Sequence, residues 1–399
     1  MRIVASNPDA IGDFIIRQPF YAALHHAGHE LFLIVRPHVL PFVSHVAPFA
    51  KAIALPADPY KTDVAANWLL YAALIEKVEA FKPELIVLAS YYWTAFEERF
   101  ATQFNAIPIA GMSGRHTGMP PTNGLLSPGG RAFTTLVQVD EQLPELEKYQ
   151  ALARAILKSE IEPADPSMSM TSTDENAARL ELFSLGLKPN DYCIVCVGGT
   201  TNVTIKTWPA ERWASVLSSW MNKHGARILF TGLRSEEPAI DSTRALMSGA
   251  AARTFKWIDD TGSKIETLLG LIGLSNGYIG HDTGPMHMAA ALKKPVFAIF
   301  GGGHWGRFLP SSPATRVLTA KVPCAGCGWN CPYEKAYCVQ SVSTDDVLAA
   351  LNDLTASATS RRDVRTLELA PDIASAMLAE SAKIAVRERH DLYLSLIHI

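Results

Sequence analysis

The chain has 399 residues, enough for two domains that each bury a hydrophobic core. It is 48% hydrophobic and 19% charged, as in globular enzymes, and its net charge of −3 gives no basic surplus for a dedicated nucleic-acid binder. Charged residues in the first apolar segment do not fit a signal peptide, and no apolar run reaches the ~18 residues of a membrane-spanning helix. We therefore expect a cytoplasmic protein, with peripheral membrane contact left open.

Strand-like and helix-like segments alternate along the first part of the chain. Short apolar runs predict strands at residues 2–5, 30–35, 50–55 and 85–89, and apolar periodicity predicts helices at 12–27, 67–81, 94–105 and 145–157. This alternation is typical of a parallel sheet with helices on both faces. Segment 112–140 is predicted to be a loop and segment 162–173 a linker, because both are rich in Pro, Ser and Thr.

The same alternation restarts after the linker. Helices are predicted at 174–185, 210–224, 265–274 and 343–354, and strands at 192–197, 227–231, 276–279 and 295–300. Two consecutive α/β units predict two Rossmann-like domains facing each other across a cleft. The predicted limits are 1–170 and 171–355, and residues 356–399 are expected to form an appended tail with one helix near 371–389.

Segment 280–291, Gly-His-Asp-Thr-Gly-Pro-Met-His-Met-Ala-Ala-Ala, carries the strongest functional signal. It lies between two predicted strands, so Asp282, Thr283 and Gly284 are expected at a strand end and helix start. Unpaired N–H groups and the positive end of the helix dipole favour an anion there. His287 follows Thr283 by four residues and faces the same space. We interpret this segment as the binding site of a phosphorylated ligand.

Two other strand ends carry polar residues. Asp13 follows Gly12 at the first strand-to-helix turn, which opens onto the ligand-binding edge of a doubly wound sheet; a simple helix N-cap is the alternative. Thr200 and Thr201 follow strand 192–197, and Lys206 precedes the next helix, a combination that suits a diphosphate. A solvated surface lysine is the alternative.

The chain has neither a Walker A loop nor a Gly-rich dinucleotide fingerprint, which gives nicotinamide or flavin use little support.

Glu236 and Glu237 follow strand 227–231, where a carboxylate can accept hydrogen bonds from ribose hydroxyls. Two acidic residues that merely complement a helix dipole are the alternative. Arg307 follows a Gly-rich loop and is a candidate to reach the cleft.

The six cysteines fall into two groups. Cys193 and Cys196 lie within an apolar strand and are expected to be small buried side chains. The loop cysteines Cys324, Cys327, Cys331 and Cys338 have the spacing C-x2-C-x3-C-x6-C. This compact cluster suits a structural zinc, another thiophilic metal or reversible disulfides, whereas ordinary reduced thiols are the alternative.

Together the motifs resemble glycosyltransferase family 9, the family of the lipopolysaccharide heptosyltransferases. The resemblance rests on three segments: Ile-Gly-Asp at 11–13, Lys-x-Trp-Pro-x-Glu-x-Trp at 206–213, and Asp-Thr-Gly-Pro-Met-His-x-Ala-Ala-Ala at 282–291. It extends over about residues 1–355. One departure precedes Ile11, where Ser6-Asn7-Pro8-Asp9-Ala10 lacks the arginine that the heptosyltransferases usually carry.

The resemblance implies a GT-B fold with an acceptor-side first domain and a donor-binding second domain. It implies inverting transfer of a sugar from a donor such as ADP-heptose to a lipid-linked saccharide acceptor, without a catalytic metal. Asp13 is then the general base, and Lys206 and Asp282 complete the catalytic set. The implied donor-binding residues are Thr200, Thr201, Glu236, Thr283, Gly284 and His287.

Two other functions stay open from the sequence. Another nucleotide sugar can replace ADP-heptose as the donor, with a different surface glycan as acceptor. A non-catalytic sugar-nucleotide or metal-binding protein can also have this fold, although the presence of Asp13, Lys206, Asp282 and His287 argues against an inactive relic. A lipid-anchored acceptor would bring the protein to the cytoplasmic face of the inner membrane.

Overall fold

Two parallel β-sheets with surrounding helices organise the described part of the chain, residues 1–116, 132–198, 204–312, 314–356 and 362–397 of a computed structural model. The first unit contains Met1–Asp174 and Gly306–Ser311, and the second contains Glu175–Trp305 and Ser312–Ile399. Each unit has its own buried apolar core. The predicted α/β class with two parallel-sheet domains is confirmed.

The sheet of the first unit has the strand order β3-β2-β1-β4-β6-β8, and its neighbouring strands are parallel. The elements are β1 (Arg2–Asn7), α1 (Ile11–Ile16), α2 (Gln18–His26), β2 (Glu30–Val35), α3 (Val43–Val46), β3 (Lys51–Ala54), α4 (Ala72–Phe81), β4 (Leu85–Leu88), β5 (Tyr92–Trp93), α5 (Ala95–Gln103), β6 (Ile109–Met112), β7 (Arg115–His116), β8 (Thr135–Val137) and α6 (Glu145–Leu157). The chain adds β2 and β3 on one side of β1 and then β4 on the other. The strand order therefore reverses between β1 and β4.

Two sequence predictions for this unit differ from the structure. The single helix predicted at 12–27 is divided into α1 and α2 at Arg17. Pro19 lies in the first turn of α2, where its missing N–H costs nothing, whereas within one continuous helix it would remove a hydrogen bond. The segment predicted as loop contains the short strands β7 and β8, and the half-buried side chains of β8 lack a clear apolar pattern.

The sheet of the second unit has the order β11-β10-β9-β12-β13-β14-β15, again with parallel neighbours. The elements are α7 (Ser172–Leu185), β9 (Cys193–Cys196), α8 (Ala210–His224), β10 (Ile228–Leu233), α9 (Glu237–Ala245), β11 (Thr254–Asp259), α10 (Ile265–Gly273), β12 (Tyr278–His281), α11 (Gly284–Ala291), β13 (Val296–Ile299), β14 (Thr315–Ala320), α12 (Tyr337–Gln340), α13 (Thr344–Ala356), β15 (Arg362–Leu367) and α14 (Pro371–Ile397). Here the strand order reverses between β9 and β12. Within the described ranges, no helix is both long and apolar enough to cross a membrane.

The last segment contains a strand that the sequence did not predict. β15 pairs with β14 from Arg362 to Leu367, and Met377 of α14 is buried in the core of the second unit. The strand reads Arg-Asp-Val-Arg-Thr-Leu, and its position at the edge of the sheet explains why it needs no apolar alternation. Residues 362–377 thus contribute to the sheet and core of the second unit, beyond the single helix predicted there.

Candidate functional site

Asp13 lies where the strand order of the first sheet reverses. It is the third residue of α1, which follows β1, and β1 neighbours β4. Doubly wound sheets bind ligands at the carboxyl ends of their strands at such a reversal. The N-cap position of α1 belongs to Ala10, so Asp13 is not an N-cap residue.

A buried ion pair lies beside Asp13. Asp9 pairs with Arg17, which is only 1% exposed, and accepts hydrogen bonds from the hydroxyls of Ser90 and Tyr60 at 2.6 Å each. Burial opposes ionisation of Asp9, but Arg17 and the two hydroxyls outweigh it and lower the pKa of this carboxyl. Asp9 is therefore a fixed negative charge close to Asp13.

The environment of Asp13 has the opposite effect. Burial, followed by repulsion from Asp9, raises the pKa of Asp13 to about 7, with Arg17 acting against the shift and Glu145 adding to it. A carboxyl with such a pKa is partly ionised at neutral pH, which is the state required of a general base.

Arg307 lies in the first unit. Its guanidinium is 4% exposed and donates two hydrogen bonds to Glu145, at 3.0 and 2.7 Å, while Lys148 donates to the same carboxylate oxygen at 2.7 Å. Arg307 therefore pairs, together with Lys148, with a carboxylate of its own unit.

Asp282, Thr283 and Gly284 lie where the strand order of the second sheet reverses. Asp282 follows β12 directly, and α11 begins at Gly284. Thr283 occupies the N-cap position of α11 without capping it, because its hydroxyl shares a hydrogen bond of 2.9 Å with Tyr278. Thr283 and Gly284 thus lie at the N-terminal end of α11, where the anion site stays a prediction.

Lys206 and Asp282 are 76 positions apart in sequence, yet their side chains form an ion pair of 3.2 Å with 12% exposure each. His287 is buried nearby. Burial lowers the pKa of His287 to about 4, with Lys206 adding to the shift and Asp282 opposing it. At neutral pH this imidazole is uncharged, so the positive charge here comes from Lys206.

His281 explains how Lys206 reaches Asp282. The backbone N–H of Trp208 donates to Nε2 of His281 at 3.0 Å, and the Trp208 indole N–H donates to the Val342 carbonyl at 3.0 Å. Burial lowers the pKa of His281 to about 4, so its ring is neutral, and acceptance of the Trp208 N–H by Nε2 places the ring proton on Nδ1. His281 therefore holds Trp208, and with it the nearby Lys206, at the end of β12. The sequence did not indicate this role for His281.

Comparison with known proteins identifies the family. The model of glycosyltransferase family 9 (heptosyltransferase) matches residues 130–336, just over half of the chain.

The chain belongs to glycosyltransferase family 9. The curated lipopolysaccharide heptosyltransferase 2 of Salmonella typhimurium (strain LT2) is 23% identical over 318 residues, 78% of this chain and 84% of that protein. The solved family 9 glycosyl transferase of Veillonella parvula has a TM-score of 0.69 at 17% identity, covering 88% of this chain and 96% of that one. The E. coli ADP-heptose lps heptosyltransferase II has a TM-score of 0.65 at 19% identity, covering 89% and 98%.

The two adjacent acidic residues of this glycosyltransferase have different surroundings, and only a prediction assigns Glu236 to the donor site. It accepts the Leu233 N–H at 2.9 Å, and burial raises its pKa. A Cβ at Gly198, just after β9, would lie 2.7 Å from the Glu236 side chain, so glycine permits this close approach. Glu237 instead pairs with Arg234 and with Lys256.

The remaining predicted groups have different outcomes. Thr200 and Thr201 lie outside the described residues, so their roles stay predictions. Cys324, Cys327, Cys331 and Cys338 are free thiols that line one cavity of about 10 Å³. Within the described residues, no group of three or more His, Cys, Asp or Glu is arranged to hold a metal ion. Zinc at this cluster stays a prediction that metal analysis of purified protein tests.

Sequence reasoning missed Asp9, Arg17, Ser90 and Tyr60. Asp9 and Arg17 could have been found from the sequence, because they lie four residues before and four residues after Asp13. The other two residues carry no such signal, since Ser90 is 81 positions from Asp9 and Tyr60 is 51.

Proposed function

We propose that this glycosyltransferase moves a sugar, with inversion, from an ADP-heptose-like donor to a lipid-linked saccharide acceptor of lipopolysaccharide or a related surface glycan. The observation that carries the proposal is Asp13, a carboxyl whose pKa is raised to about 7 where the strand order of the first sheet reverses. The names of the relatives, lipopolysaccharide heptosyltransferase 2 and ADP-heptose lps heptosyltransferase II, support the donor and acceptor class.

In the proposed reaction Asp13 acts as the general base. It takes the proton from an acceptor hydroxyl while that oxygen attacks the anomeric carbon of the donor sugar. The bond from the anomeric carbon to the diphosphate oxygen breaks on the opposite face, so the configuration is inverted and the nucleoside diphosphate leaves with the bonding electrons.

The second unit binds the donor in this proposal. Lys206 and the first turn of α11, with Thr283 and Gly284, stabilise the departing diphosphate, and Thr200 and Thr201 add hydroxyl donors. Lysine and helix N–H groups supply the charge stabilisation that a divalent metal gives in other transferases, so we propose that catalysis needs no metal.

Three side chains complete the donor site. Asp282 keeps Lys206 in place through their 3.2 Å ion pair. His287 is neutral and can hydrogen-bond to a phosphate or to the donor sugar without adding charge. Glu236 accepts hydrogen bonds from the ribose hydroxyls of the nucleotide. The lipid-linked acceptor would bring the enzyme to the cytoplasmic face of the inner membrane by peripheral contact.

A thermal-shift series with ADP, GDP, UDP, dTDP and CMP, each with and without EDTA, tests the donor class. A nucleotide that binds only the folded state raises the melting temperature by mass action. We expect stabilisation by ADP that EDTA does not change. Stabilisation by UDP or GDP alone would replace heptose with another sugar, and an EDTA-sensitive shift would contradict metal independence. Stabilisation by none would favour a non-catalytic protein.

Transfer itself is then tested with ADP-heptose and a lipid-linked core saccharide. The expected product has the anomeric configuration opposite to that of the donor, as read by NMR coupling constants. Retention of configuration would exclude the single-displacement mechanism and the role assigned to Asp13.

A further inference from the structure

Trp329 lies in the loop that carries the cysteines, well after the three segments that carry the family resemblance. Its indole nevertheless contacts Lys206, whose Nζ lies 4.2 Å from the ring centroid. An ammonium at this distance over an indole face is attracted by the ring quadrupole, and tryptophan is the best aromatic partner for a cation. Among the described residues, Lys206 thus contacts both the Asp282 carboxylate and the Trp329 ring.

The backbone at the end of β13 is shaped to accept this ring. Gly301 and Gly303 follow β13, and a Cβ on either residue would collide with the Trp329 indole. The His304 ring stands edge-on to the indole at a centroid distance of 6.0 Å. The indole therefore packs directly against the backbone of the Gly-rich segment after β13.

Trp329 itself is held in a backbone conformation that bulky residues avoid. Its φ is +68°, in the left-handed region that favours glycine, and the preceding Gly328 has φ +61°. Such a conformation persists where the surroundings determine it, and it is found disproportionately at ligand sites. Here the conformation directs the ring against the backbone of Gly301 and Gly303 and against Lys206.

We infer that Trp329 is a positioning residue of the donor site, which holds the Lys206 ammonium in place for the donor diphosphate. The inference rests on the proposed function, because it assigns Trp329 the task of orienting a lysine that binds the leaving group. It also gives the cysteine-containing loop a role that needs no metal, since the loop delivers the indole to the end of β13.

The test compares W329L, which removes the π face, with W329F, which keeps one, by calorimetric titration with ADP. We expect W329L to weaken ADP binding by about 3- to 30-fold and W329F to retain most of the affinity, because only the aromatic face attracts the ammonium. Y333L is the matched control, since Tyr333 lines the same cysteine cavity but packs edge-on against Tyr337 and hydrogen-bonds to Ser381. It should bind ADP as the wild-type protein does.

A double-mutant cycle shows whether Trp329 acts through Lys206. In a K206M background, W329L should cause almost no further loss of ADP affinity. An undiminished loss in that background would overturn the inference, as would wild-type affinity in W329L or equal impairment in W329F. Equal weakening by Y333L would assign the effect to the loop as a whole and would also overturn it.

A second measurement works without nucleotide. The chain has eight tryptophans, so the fluorescence of the wild-type protein minus that of W329F isolates the emission of Trp329. We expect K206M to change this difference spectrum, and an unchanged spectrum would contradict the contact. If the spectrum changes but the wild-type protein binds no nucleotide, the proposed function fails, and the role of Trp329 fails with it, whereas the contact stands.

Discussion

The two sheets reverse their strand order in the same way, but the side chains at the two reversals create opposite electrostatic environments. In the first unit, burial and then the charge of Asp9 raise the pKa of Asp13 to about 7. In the second unit, burial lowers the pKa of His287 to about 4 and Lys206 supplies a fixed cation. One topology thus carries a group that can accept a proton and a separate group that attracts an anion. The fold decides where a ligand binds, and the side chains decide what is done to it.

The largest expected effect is on catalysis, and it distinguishes the proton acceptor of the first unit from the anion-attracting group of the second. Replacing Asp13 by Asn removes the proton acceptor, and we expect kcat to fall by about 10²- to 10⁴-fold while the affinity for ADP stays unchanged. Initial-rate assays and calorimetry measure the two quantities. D345N is the matched control, because Asp345 also lies in the first turn of a helix but is exposed. Activity of D13N within a few-fold of wild type would refute the base assignment.

A change at Lys206 tests the anion-binding role assigned to the second unit. K206M removes the cation that we assign to the diphosphate, so the Kd for ADP should rise by about 10- to 100-fold. K206R should restore part of the affinity because it keeps the charge, and K321M, which changes an exposed lysine paired with Glu368, should have no effect. If K206M lost kcat alone, with ADP affinity intact, the division of tasks between the two units would be wrong.

The pH dependence of kcat/KM sharpens the contrast. The base must be deprotonated, so activity should rise with pH and reach half its plateau near the Asp13 pKa of about 7. Burial is the main cause of that pKa, and the charge of Asp9 is the next. D9N removes the repulsion and frees Arg17 to favour the Asp13 carboxylate, so the rise should move to lower pH by about half a unit to one unit. Rates measured from pH 5 to 9 test this.

D63N controls for that shift, since Asp63 is an exposed carboxylate of the same unit that accepts the Ala66 N–H. Its pH profile should match the wild-type profile. A D9N profile that moved to higher pH would mean that Asp9 acts on Asp13 in some way other than charge repulsion.

The smallest expected effect distinguishes two neighbouring glutamates. E236Q should weaken ADP binding by about 2- to 10-fold, because a neutral amide is a poorer acceptor for ribose hydroxyls than a carboxylate. E237Q, the matched control, alters a side chain engaged by Arg234 and Lys256 and should leave ADP binding unchanged. The comparison is repeated with 2′-deoxy-ADP. If E236Q weakened ADP and 2′-deoxy-ADP equally, the 2′-hydroxyl would not be the partner of Glu236.

The sequence by itself determined many of the elements and the positions of the motifs along them. Helices at 145–157 and 210–224 were predicted with the bounds observed for α6 and α8. Both have polar and apolar residues at helical spacing, a signal contained within the segment itself. The positions of Asp13, Asp282 and Thr283 after strands could be predicted too, because the end of a strand is also a local feature of the sequence.

Only the tertiary structure decided the chemical state of these residues. The pKa of Asp13 depends on Asp9, and the state of Asp9 depends on Ser90, 81 positions away. The place of Lys206 depends in the same way on Asp282 and on Trp329. Periodicity reports which face of an element is buried, but burial of a charge and its distance from other charges arise only when remote segments pack together. The sequence therefore located the candidate site, and packing determined its electrostatics.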